Sequence, residues 1–108
     1  MPSSGNVHVT ARAQGSTQLL SVTGQVDVAT VDTFADGIRD ALATEPETIV
    51  VDLSAVGFFG SGGLSALLEA DGHARASGCR LVVIPGTGVV RRLLDRTKAD
   101  TRLTIVAT

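Results

Sequence analysis

The sequence predicts an α/β domain with a mixed, mostly parallel sheet of about five strands, opened by a hairpin and packed with three or four helices. Three observations carry this. Two alternating apolar segments, at 7–14 and 18–25, flank a Gly-Ser-Thr turn; three segments of helical apolar spacing follow; short β-branched runs lie between and after them.

In the first segment Val7, Val9, Ala11 and Ala13 alternate with His8, Thr10, Arg12 and Gln14, the period-two pattern of a half-buried strand. Leu20, Val22 and Gly24 share one face of the second segment, so the two form a hairpin around Gly15-Ser16-Thr17. The period then changes. Val31, Phe34, Ala35, Ile38, Ala41 and Leu42 recur at helical spacing opposite Asp32, Asp36, Arg39 and Asp40, and this helix ends before Glu45-Pro46 because proline disfavours helical geometry in its predecessor. The β-branched run at 48–53 predicts a central strand covered on both faces, with residues 54–63 as the loop that follows. Leu64, Leu67, Leu68 and Ala74 mark a second helix, closed by Ser77-Gly78 with glycine at C′. A buried strand at 80–84, a turn at 85–88 with Thr87 as cap, a third helix facing inward through Val89, Val90, Leu93 and Leu94, and a last strand at 103–107 complete the order. Parallel βαβ units thus follow the hairpin. Residues 7–108 read as one domain, and the polar, unpatterned residues 1–6 as a flexible N-terminus.

Composition excludes several function classes. The chain has 108 residues, a hydrophobic fraction of 44%, only 3% aromatics and a formal net charge of -2. Its core must therefore be aliphatic. Nucleic acid is not an expected partner, since stacking platforms and a basic groove are both lacking. Apolar runs of about four residues fall far below the roughly 18 needed to span a bilayer. Membrane association is not expected. The start of the chain lacks the basic and apolar regions of a signal peptide, so a cytoplasmic protein is expected. The single cysteine, Cys79, reads as a small apolar residue near a strand. No His, Cys or carboxylate cluster has metal-site spacing, and no cofactor is expected.

Two local segments narrow the fold further. Gly24-Gln25-Val26-Asp27 is followed by Thr30, and Asp52-Leu53-Ser54 leads into Phe58-Phe59-Gly60-Ser61-Gly62-Gly63-Leu64. Together they resemble the signature of the STAS domain family, in which G-E-L-D-x-x-T opens the first helix and D-L-S leads into F-x-D-S-S-G-L at the second. The likeness extends from about Leu20 to Ala107 and includes Ala74-Arg75-Ala76-Ser77-Gly78 and Val90-Arg91-Arg92-Leu93-Leu94. It implies a STAS-like fold and an anti-sigma factor antagonist, which is a switchable binding module and no enzyme. In such antagonists the first serine of D-S-S-G-L is phosphorylated by a partner that is both anti-sigma factor and serine kinase. The unphosphorylated form binds that partner and frees the sigma factor, and a serine phosphatase restores it. By position the phosphoacceptor is Ser61, and the partner-binding residues implied are Asp27, Thr30, Gly60, Ser61, Gly62, Gly63 and Leu64.

Helix physics suits such a switch. The first N–H groups of a helix lack intrahelical partners and its dipole favours negative charge there, so the amides of Gly63, Leu64 and Ser65 are expected to hold a phosphate on Ser61. A phosphoryl group adds nearly two negative charges, which an apolar or acidic partner surface rejects. The chain departs from the family pattern at two positions: Gly60 stands for the aspartate and Gly62 for the second hydroxyl residue. STAS domains without a working acceptor serve in scaffolds and transport complexes, and these substitutions keep that alternative open.

Ordinary explanations stand beside these. Ser61 reads as the N-cap of the second helix, and Thr30 and Asp27 as cap and turn residues before the first. Asp52 at a strand end needs donors from loop amides. A hydrolase elbow fails, because G-x-S-x-G needs glycine at 59, which is Phe59, and His73 lies twelve residues along the helix from Ser61, about 18 Å at the helical rise. Arg91, Arg92, Arg96 and Lys98 read as a solvated basic face.

Overall fold

A computed structural model describes residues 6–106. Of the expected flexible N-terminus, residues 1–5 lie outside this range, as does Ala107 of the last strand. Asn6 is tied down, its carbonyl accepting a hydrogen bond from the Gln25 amide at 2.9 Å.

Strands β1 (Val7–Gln14) and β2 (Thr17–Val26) form the antiparallel hairpin, with Gln14 opposite Thr17. Helix α1 (Val31–Leu42) leads to β3 (Thr48–Phe59), α2 (Ser61–Ala76) to β4 (Arg80–Ile84), and α3 (Val89–Thr97) with a 3-10 turn at Ala99–Thr101 to a short β5 (Thr104–Ile105). The five strands lie in sequence order, and each pair from β2–β3 to β4–β5 is parallel. This is the mixed sheet that the hairpin and the βαβ spacing require.

The sheet is covered less than the sequence suggests. Ile49, Val51 and Leu53 of β3 are buried with Leu20 and Val22 of β2 and Leu81 and Val83 of β4, whereas Val50, Val82 and Ile84 on the opposite face are only half-buried. A β-branched run marks a strand inside a sheet, but here one face carries the core. Phe34, Ile38 and Ala41 of α1, Leu64, Leu67 and Ala74 of α2, and Val90 and Leu94 of α3 belong to the same cluster. Each follows helical spacing, so a single stripe per helix is buried. At about 25 cal/mol per Å² of apolar area removed from water, burial of this aliphatic set is the main stabilising term.

Chain breaks follow local chemistry. Gly78 stands at C′ of α2 with φ 77°, after the Ser77 C-cap, as the sequence indicates. Thr87 does not cap α3; Gly88 holds that position without a side-chain bond. Gly24 has φ 95°, and a Cβ on it would stand 2.1 Å from the Asn6 carbonyl oxygen, so glycine is obligatory where β1 begins beside the end of β2.

The largest departure from expectation is the segment after Leu53. It is strand as far as Phe59, because β2 runs on to Val26 and pairs with it: Gly24 opposite Val56, Gln25 opposite Phe58, Val26 opposite Phe59. The register slips twice, between Ser21/Thr23 and Gly24/Gln25, and each time β3 carries the extra residue. Such bulges shift which side chains face the core. Val56 and Phe59 point inward while Phe58 points out.

Candidate functional site

The parallel strands β2 and β3 end side by side, and each turns there into a helix. Their two turns meet. The Gly60 amide donates to the Val26 carbonyl oxygen at 3.1 Å, coupling the start of α2 to the end of β2. The open ends of parallel strands are where α/β domains place their binding residues.

The first turn is fixed by Asp27 and Thr30. The Asp27 carboxylate Oδ1 accepts from the amides of Ala29 at 3.0 Å and Thr30 at 3.2 Å. The Thr30 hydroxyl donates to the Gln25 carbonyl at 2.8 Å and accepts from the Asp27 amide at 2.9 Å. Thr30 is at the N-cap of α1, but its side chain binds back into the turn and makes no bond to the helix amides. The expected capping thus becomes an Asx-type turn, with the aspartate serving the turn's amides. Thr30 is buried and Asp27 half-buried.

In the second turn Gly60, in extended geometry at φ -88° and ψ -179°, is the N-cap of α2. Ser61 is therefore the first helical residue and not the cap its sequence position suggests. It is exposed. The amides of Ser61, Gly62 and Gly63 have no backbone partner among the described residues, whereas the Leu64 amide donates to the Gly60 carbonyl at 3.2 Å. The free donors at the helix start are thus residues 61–63, not the expected 63–65, because the helix is capped at Gly60 and begins at Ser61.

Gly63 and Leu64 are buried and shape the site from beneath. A Cβ on Gly63 would lie 2.9 Å from Val26 Cγ1 and 3.0 Å from two atoms of the Phe59 ring, so only glycine lets α2 start this close to the sheet. Phe59 packs edge-on against Phe34 of α1, with ring centroids 5.7 Å apart at 87°. That contact anchors both helix starts. Gly62 is exposed, its Cβ position 3.8 Å from Val31 Cγ2 of α1. Ser61, Gly60, Gly62 and Asp27 therefore form the accessible surface, and Thr30, Gly63 and Leu64 hold it in place.

Sequence reasoning missed two residues here. Val28, at the tip of the first turn, is 97% exposed, and Phe58, beside the second, is 49% exposed. Phe58 stood in the motif, but its outward direction depends on the bulges in β3. Elsewhere, Asp52 lies within β3 at the first bulge and not at the strand end that the sequence suggests, and it accepts from the Ser54 amide at 3.0 Å and the Ser54 hydroxyl at 2.6 Å. No cluster able to hold a metal ion occurs among the described residues, and no helix of theirs is long and apolar enough to cross a membrane. A groove of about 440 Å³ between α1 and α2, lined by Ile38, Leu42 and Ala70, contains none of the site residues.

With this geometry defined, residues 9–107 match a family model described as "Mlab, STAS domain". The chain belongs to the STAS domain family. The anti-sigma-F factor antagonist RsfB of Mycobacterium tuberculosis is 30% identical over 92 residues, covering 85% of this chain and 75% of that protein. A crystal structure of an anti-sigma factor antagonist from Mycobacterium paratuberculosis superposes with a TM-score of 0.79 at 28% identity, covering 94% of this chain and 86% of that one. The antagonist SpoIIAA in its unphosphorylated form shares the fold, with a TM-score of 0.78 at 16% identity over 94% of this chain and 88% of its own. The STAS fold is thus the one that the motifs imply.

Proposed function

We propose that this STAS domain is an anti-sigma factor antagonist that acts in the cytoplasm, binds an anti-sigma factor with serine-kinase activity in its unphosphorylated form, and is switched off by phosphorylation of Ser61. The observation that carries the proposal is the exposed Ser61 at the first position of α2, beside three free amides and joined through Gly60 and Val26 to the Asp27–Thr30 turn. The likeness to RsfB supports the same reading. The domain performs no chemistry of its own here. It offers a surface, and the kinase supplies the phosphoryl group.

A phosphate on Ser61 stays compatible with the fold, because the side chain already projects into solvent and the helix start favours negative charge. Two added charges at the centre of this surface nonetheless block a partner that fits the bare hydroxyl. A serine phosphatase then resets the switch.

The test is direct binding of the purified chain to each anti-sigma factor of its source organism, followed by incubation with ATP and Mg²⁺. One phosphate on the wild type, none on Ser61→Ala, and loss of binding by the phosphorylated form are expected. Wild type that binds none of these factors refutes the antagonist reading. Gly60 and Gly62 favour a second reading, a STAS scaffold or transport-complex subunit without phosphorylation, in which Ser61→Ala and Ser61→Asp bind their partner equally.

A further inference from the structure

Val28, Phe58 and Val106 are the strongly exposed large apolar residues among those described, and two of the three flank the Ser61 turn. Neither is a loose side chain on a loose loop. Val28 sits inside the Asp27–Thr30 turn, whose backbone is fixed on both sides by the Asp27 carboxylate and the Thr30 hydroxyl. Phe58 stands on β3 opposite Gln25, one residue from the buried Phe59. Rigid exposed apolar groups cost little ordering entropy on association, and aromatic anchors dominate many interfaces.

Gly60 sets the character of this face. The Phe58 ring lies over the turn, its Cε2 at 3.4 Å and Cζ at 3.7 Å from where a Cβ on residue 60 would stand. The ring thus borders the space that a side chain there would take. The family pattern puts an aspartate at this position, and in this chain its Cβ would sit in van der Waals contact with the ring and bring a charge beside it. With glycine no charge stands between the Phe58 ring and the turn.

We infer that the partner reads this face by apolar anchoring: Phe58 and Val28 enter an apolar pocket of the anti-sigma factor, and Gly60 is the residue that fixes this specificity. The inference rests on the antagonist reading above and specifies the chemistry of its partner. A partner built for the aspartate would present a cation there, whereas this one presents apolar surface opposite residue 60.

The experiment measures Kd for the anti-sigma factor that wild type binds, using Phe58→Ser, Phe58→Leu, Val28→Ser and Gly60→Asp. Phe58→Ser and Val28→Ser each weaken binding at least about tenfold, or about 1.4 kcal/mol, and Phe58→Leu keeps most of it. Gly60→Asp also weakens binding at least about tenfold, although it restores the residue of the family pattern. Val28 is so exposed that its replacement leaves the fold intact, and circular dichroism checks the others. Wild type binding no anti-sigma factor defeats the antagonist reading and this inference together. Wild type that binds, with all four variants within about twofold of it or with Gly60→Asp tighter, overturns this inference alone. Self-association of wild type in sedimentation, abolished by Phe58→Ser, assigns the face to a second copy and likewise overturns it.

Discussion

Two glycines of α2 are expected to respond oppositely to alanine. In a helix interior, alanine is favoured over glycine by about 1 kcal/mol, so propensity alone predicts that both Gly63→Ala and Gly72→Ala stabilise. At Gly72 nothing lies within 4 Å of the new Cβ, and the full gain of about 0.5–1 kcal/mol is expected. At Gly63 the Cβ would meet Val26 Cγ1 at 2.9 Å and the Phe59 ring at 3.0 Å. Neither neighbour can move aside: Val26 is fully buried, and Phe59 is held against Phe34. Overpacking of this kind costs about 1–3 kcal/mol. It exceeds the propensity gain, which is smaller still in the first turn, so Gly63→Ala should lose about 1–2 kcal/mol net. In urea, with a slope of about 1–2 kcal/mol/M for a domain of this size, the midpoint falls by about 1 M for Gly63→Ala and rises by about 0.5 M for Gly72→Ala. Equal upward shifts for both would refute the close approach of α2 to β2 and β3, and with it the placement of Ser61.

Other expectations follow from single side chains. Thr30→Val leaves the Gln25 carbonyl and the Asp27 amide without their hydroxyl partner; a loss of about 2–3 kcal/mol is expected, lowering Tm by about 10 °C, while Thr30→Ser stays near wild type by calorimetry. The turn that positions Val28 loosens as well, so partner binding should weaken in step. Burial raises the Cys79 thiol pKa above its ordinary 9.0. The unfolded chain therefore ionises first, so this group's stabilising contribution is present below that value and lost as pH rises through the alkaline range. Reaction with a thiol reagent at pH 8 should be at least about tenfold slower in the native protein than in urea, and equal rates would contradict the buried environment.

Much of this protein is legible along the chain. The alternation of Val7 and Val9 with His8 and Thr10, and the helical spacing of Phe34, Ile38 and Ala41, reflect the geometry of a strand and a helix with one buried side, so the order of elements follows from local periodicity. Gly78 likewise marks the end of α2 because few other residues accept its backbone angles. The motif around Ser61 names the residues of the turn between β3 and α2, on which the proposed function rests. The end of that site's strand was less legible, since 54–59 lacks any alternation.

That stretch becomes regular strand only by pairing with β2, and two extra residues in β3 reset its facing there. Which of two adjacent phenylalanines enters the core and which is left beside the serine is therefore decided by register, a long-range property with no local signature. The same holds for Ser61 as first helical residue instead of cap, which depends on Gly60 bonding to Val26 across the strand ends. It holds again for Gly63, whose buried position follows from α2 resting on Val26 and Phe59. The sequence by itself determined the elements, their order and the identity of the turn residues, because those follow from neighbours within a few positions. Tertiary structure alone decided which of those residues are presented and which support them, because strand pairing and helix docking set the direction of each side chain.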